Sequence, residues 1–141
     1  MFNPSRDEVR QFFFGVWSKF RQQLPLEGAE ATALEIIQHH PEYHAVLDNP
    51  DKYRERDWLP EQGESNPFLH LSLHLALEEQ LAMNQPPGIR EQVQILANKL
   101  LDEHRARHEA IECLAEVIWQ AQRAQSMPDT EEYLECLRRK C

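Results

Sequence analysis

Apolar side chains recur along this chain every three to four residues, and nowhere alternate as a half-buried strand requires. In the first segment Val9, Phe12, Phe13, Val16, Trp17, Phe20 and Leu24 form a strongly aromatic stripe, the core-facing side of a helix. Ser5 followed by Glu8 is a capping box that opens it, and Pro25 and Gly28 punctuate the turn that follows. A second helix is predicted over 30–40; it stops there because Pro41 disfavours helical geometry in the residue before it. A short helical piece over 41–47 then starts on proline, which suits a first helical position.

Residues 48–65 are polar and carry Pro50, Pro60 and Gly63, which predicts one long loop of the kind used as a lid or binding segment. Tyr53 and Trp58 inside it suggest that it folds back on the body of the protein. Asn66-Pro67 pairs an N-cap with a proline at the first helical position, so a helix is expected over 67–83, ended by Pro86-Pro87-Gly88. Residues 89–125 contain neither proline nor glycine. They make one long helix, or two that break near Asp102, itself a competent N-cap. Asp129, with Glu132 three residues on, opens a C-terminal helix within 126–141. The expected fold is a single all-α domain over 1–141, a bundle of about five to six helices with one long polar loop.

Composition narrows the function classes. A net charge of −9 argues against a general nucleic-acid binder, and Arg138-Arg139-Lys140 reads as a helix end favoured by its dipole. No apolar run approaches the ~20 residues of a membrane-spanning helix. The first residues lack the basic-then-apolar order of a signal peptide. Cys113, Cys136 and Cys141 are odd in number and match no zinc spacing, which reads as free thiols in a cytoplasmic protein. No serine or cysteine stands in a nucleophile motif, so the sequence names no catalytic residue and leaves open whether the chain is an enzyme.

The sharpest chemical signal is a repeated nine-residue pattern. His70, His74 and Glu78 are spaced His-x-x-x-His-x-x-x-Glu, and His104, His108 and Glu112 repeat that spacing. At about 100° per residue, His70 and His74 fall amid Leu73, Leu77 and Leu81, and His104 and His108 share a face with Ile111, Leu114 and Ile118. Histidines one helical turn apart project to the same side and can chelate one metal ion. The two pairs together would supply four imidazoles, with Glu78 and Glu112 as supporting or secondary ligands, since residues eight apart are about 12 Å apart along the axis. Glu35 with His39, and His40 and His44 nearby, are further candidates. The competing reading is a buried polar network in which neutral histidines bond to carboxylates or backbone carbonyls without metal. His108-Glu109-x-x-Glu112 lacks the second histidine of the zinc-protease motif. Mixed imidazole and carboxylate donors suit zinc, iron, nickel or manganese alike.

Several blocks also carry a resemblance. The opening Met1 to Asp7, His40-Pro41-Glu42-Tyr43-His44, Asn66 to His74 followed by Glu78-Glu79-Gln80, Gln85 to Ile89, and Trp119 to Arg123 resemble the uncharacterised bacterial family known as domain of unknown function 1841. The resemblance spans nearly the whole chain and implies a small bacterial cytoplasmic protein, with no activity, cofactor or catalytic residue to carry over. At the level of fold alone, the histidine-bearing bundle is similar to metal-binding bundles of the DinB-like and hemerythrin-like kinds. Two functions are therefore expected to compete. One is a metal-binding bundle using His70, His74, His104 and His108, with Tyr53 or Trp58 in a lid if it acts on a substrate. The other is a non-catalytic interaction module whose aromatic first helix or C-terminal helix meets a protein partner or a second copy.

Overall fold

A computed structural model describes residues 6–56, 58 and 66–141. Among the described residues it is all-α, as the periodicity predicts, with more helices than expected because two single-turn pieces are helical. The order is α1 (Arg6–Arg21), α2 (Ala29–Gln38), a 3-10 turn (Pro41–Tyr43), α3 (His44–Leu47), α4 (Pro50–Tyr53), α5 (Pro67–Met83), α6 (Ile89–Leu100), α7 (Glu103–Ala124) and α8 (Thr130–Lys140). The chain forms two compact units, Met1–Leu75 and Ala76–Cys141, so α5 contributes 67–75 to the first and 76–83 to the second.

The first unit is built on aromatic packing. Phe13, Phe14, Val16 and Trp17 of α1 bury against Ala33, Ile36 and Ile37 of α2, with Leu47, Phe68 and Leu71. Phe14 meets Phe68 edge-on with ring centroids 5.3 Å apart, a favoured geometry for a ring quadrupole. The predicted stripe holds at its centre, whereas Phe20 and Leu24 stay exposed near the helix end. Arg10 is buried, 2% exposed. Its guanidinium donates to the carbonyls of Arg54 (2.9 Å) and Arg56 (2.8 Å) and lies over the Trp58 and Phe68 rings. These bonds satisfy backbone carbonyls of the segment that follows α4. Tyr53 and Trp58 pack on this core, so the start of the predicted loop does fold back, and α4 forms inside it. The capping residue Ser5 and, within the predicted lid, 57 and 59–65 lie outside the described residues.

In the second unit α6, α7 and α8 pack on one another around Val93, Leu96, Ala110, Leu114, Val117, Tyr133 and Leu137. The segment 89–125 is two helices: Leu101 turns left-handed at φ 56°, and the Asp102 carboxylate accepts from the Arg105 amide at 3.1 Å. Asn66 and Asp129 cap as expected, accepting from Phe68 N (2.9 Å) and Glu132 N (3.1 Å).

One sequence reading is overturned here. Cys113 and Cys136 are not free thiols; they form a disulfide joining α7 to α8, and only Cys141 is free and exposed. The packing of those two helices brings the α-carbons to 5.8 Å, a proximity that a 23-residue separation without a motif does not reveal. The cytoplasmic expectation loses the support that free thiols lent it. Among the described residues no helix is long and apolar enough to cross a membrane.

Candidate metal centre

Three histidines of the first unit converge on one point. His70 and His74 lie one turn apart on α5, and their Nε2 atoms are 3.2 Å from each other. The third member is His40. It follows α2 and precedes Pro41, so its backbone is driven out of the helical region to φ −127°, ψ 65°, which ends α2 and turns the chain into the 3-10 element. Its Nε2 comes to 3.1 Å from Nε2 of His74. His40 and His74 are each 2% exposed, and His70 is half-buried. One ring nitrogen from each of the three lies within 4.8 Å of those of the others.

Proton placement explains why this arrangement is unusual. The Glu42 carboxylate accepts from His40 Nδ1 at 2.9 Å, which puts the His40 proton on Nδ1 and leaves a lone pair on Nε2 facing the cluster. His74 Nε2 then sits between two other Nε2 atoms, yet it carries either one proton or one lone pair. It can serve as a good partner to one neighbour and not to both. A cation accepting all three lone pairs resolves that conflict. With metal–nitrogen bonds of ~2.0–2.1 Å, tetrahedral geometry sets ligand nitrogens about 3.3 Å apart, close to the observed 3.1 and 3.2 Å.

The surroundings keep His40 fixed. Burial opposes ionisation of Glu42, but the His40 hydrogen bond, a backbone hydrogen bond and the nearby imidazoles outweigh it and hold the carboxyl below its usual range. Tyr43 stacks on the His40 ring at 5.4 Å and meets His70 edge-on at 6.0 Å. Burial and the Glu42 charge raise the Tyr43 phenol, which keeps it protonated. His44 stands apart from this cluster. Its Nε2 donates to the Ile37 carbonyl at 3.0 Å and its ring lies 4.4 Å from that of Trp17, a structural role.

The second histidine pair lies in the second unit, where the His104 and His108 rings are 4.3 Å apart on α7. The two glutamates of the repeated pattern meet cations. Arg107 Nε donates to Glu78 Oε1 at 2.5 Å, and Lys140 Nζ donates to Glu112 at 2.9 Å and Glu109 at 2.6 Å. The carboxylate that does orient an imidazole is Glu42, which the helical spacing missed because it lies two residues from His40 across a proline. His40 itself belonged to the wider candidate set.

The family model described as a domain of unknown function, DUF1841, matches residues 5–139. No curated protein and no solved structure matches the chain.

Proposed function

The chain belongs to the DUF1841 family, and from that premise we propose that it is a metal-binding helical protein whose centre is built on His40, His70 and His74. The observation that carries this reading is the convergence of three Nε2 atoms, where the single proton or lone pair of His74 Nε2 faces two other ring nitrogens at once. The repeated spacing further assigns a fourth donor to the His104/His108 pair, an assignment that rests on sequence pattern. Glu42 holds the His40 ring and raises its basicity, the outer-shell role that carboxylates play behind metal-bound imidazoles. A donor set of imidazoles favours zinc, iron or nickel over manganese, which prefers oxygen. Three protein ligands leave a coordination position for water, which such an ion activates as a nucleophile; a fourth imidazole makes the site structural.

The second reading, an interaction module with structural histidines, draws on His44, which shows that this chain does use imidazole to satisfy a backbone carbonyl. The exposed Leu101, Trp119 and Met127 would then be contact residues. Elemental analysis of tag-free protein decides between the two. The metal reading expects about one equivalent of a transition metal in wild type and its loss in His74→Ala, with weaker retention in His108→Ala. Equal, substoichiometric metal in all three proteins would leave the interaction module standing.

A further inference from the structure

The disulfide of the second unit is built asymmetrically. Cys113 lies on the inner face of α7 with Ala106, Ala110, Leu114 and Val117, and is 0% exposed. Cys136 is half-buried. At about 100° per residue it stands to one side of Tyr133 and roughly a quarter-turn from Leu137, at the edge of the face that α8 buries. A thiolate opens a disulfide by attacking one sulfur and expelling the other, so the reaction needs an open approach to the sulfur attacked. The interior of the unit closes that approach at Cys113. Of the two linked residues, only Cys136 meets solvent.

We propose that Cys136 is a site of reversible modification by a low-molecular-weight thiol of the glutathione type. The incoming thiolate bonds to Sγ of Cys136; the Cys113–Cys136 bond breaks, and its electron pair leaves with Sγ of Cys113. Cys113 then takes up a proton, because apolar surroundings oppose a thiolate. Two effects compete in choosing the sulfur. The half-buried Cys136 is the better leaving group, which favours attack on Cys113, whereas access favours attack on Cys136. Access decides, since a sulfur that no thiol reaches is not attacked however well its partner leaves. Burial also makes the product last. Reclosure needs the Cys113 thiolate, the species its surroundings suppress, so the mixed disulfide at Cys136 accumulates. A second thiolate attacking the outer sulfur of that mixed disulfide releases the small-molecule disulfide and leaves both cysteines reduced. Either product frees α8 from its covalent link to α7, leaving it held by Tyr133, Leu134, Leu137 and the pairing of Lys140 with Glu109.

The site uses no residue of the histidine centre and is tested without reference to metal. The full chain carrying Cys141→Ser, a change at an exposed position, leaves the disulfide as the sole source of cysteine sulfur. The oxidised protein is incubated without denaturant in about 5 mM glutathione at about pH 8, quenched with acid, digested and mapped by mass spectrometry. Glutathione is expected on Cys136 in at least about tenfold excess over Cys113. In urea, where both sulfurs are accessible, the two adducts should come within about threefold of each other. Should the serine variant fail to fold, as judged by circular dichroism, wild type with Cys141 capped by a maleimide gives the same readout. Comparable adducts at the two sulfurs of the native protein, or an excess at Cys113, would overturn the proposal. So would the lack of any native adduct over a time in which the urea-unfolded chain reacts.

Discussion

The same nine-residue pattern occurs in α5 and α7, but the histidines of its two copies have different surroundings. Around the first, His70 and His74 are joined by a histidine from far away in sequence, and three ring nitrogens meet where His40 and His74 are buried. In the second, the matching glutamate Glu112 and its neighbour Glu109 are drawn to Lys140, and the helices are tied by a disulfide, so charge pairing and covalent closure dominate. Spacing on one helix therefore creates a pair of imidazoles. A centre needs a third group, and that comes from tertiary structure. The third imidazole that converges on His70 and His74 is His40, delivered by a proline that breaks the chain's direction after it.

The contrast can be broken on the covalent side first. Cys136→Ser removes the closure of a 23-residue segment and should cost about 3 kcal/mol in denaturant unfolding under non-reducing conditions. The folded variant should keep the metal content of wild type. Loss of metal with the disulfide would contradict a centre carried by His40, His70 and His74.

The next effect sharpens the comparison between carboxylates. Glu42→Gln should weaken metal binding by about tenfold to a hundredfold, since an amide still accepts from His40 Nδ1 but lacks the charge that raises the basicity of its ring. Glu112→Gln, which loses only an exposed pairing with Lys140, should leave metal affinity within about twofold and stability within about 1 kcal/mol. Competition with a chromophoric chelator measures both.

The smallest effect is acid sensitivity within the first unit. Hydrogen bonds from Arg21 and then Trp17 hold the Asp48 carboxyl below its ordinary value of 3.8. A carboxyl depressed in the folded state contributes stability above its unfolded value and loses it as pH falls through the folded one. Asp48→Asn should thus be less stable than wild type at about pH 6, and the gap should close near about pH 2. Water reaches this side chain, so the gap should be below about 1 kcal/mol, read as a shift in urea midpoint.

Much of the fold was legible because its signals are local. Asn66, Asp102 and Asp129 announce helix starts through a side-chain oxygen that satisfies a free amide, and Pro41 announces an end through steric exclusion. Two-thirds of the converging centre, His70 and His74, was legible for the same reason, since four residues on a helix fix one turn. The parts that escaped are set by partners distant in sequence. Arg10 reads as a solvated charge until the carbonyls after α4 and the rings of Trp58 and Phe68 surround it. Cys113 and Cys136 read as free until α7 packs on α8. Glu42 has no periodic relation to His40 because a proline separates them.

The central claim is that His40, His70 and His74 share one ion. Titration of metal-free wild type with cobalt(II), beside His40→Ala, tests it most directly. The account predicts an intense visible absorption from a nitrogen-ligated, low-coordinate ion, saturating at about one equivalent in wild type and lost or strongly weakened in the variant. A spectrum that stays that of the aqueous ion at every ratio, or one that His40→Ala leaves unchanged, would contradict it.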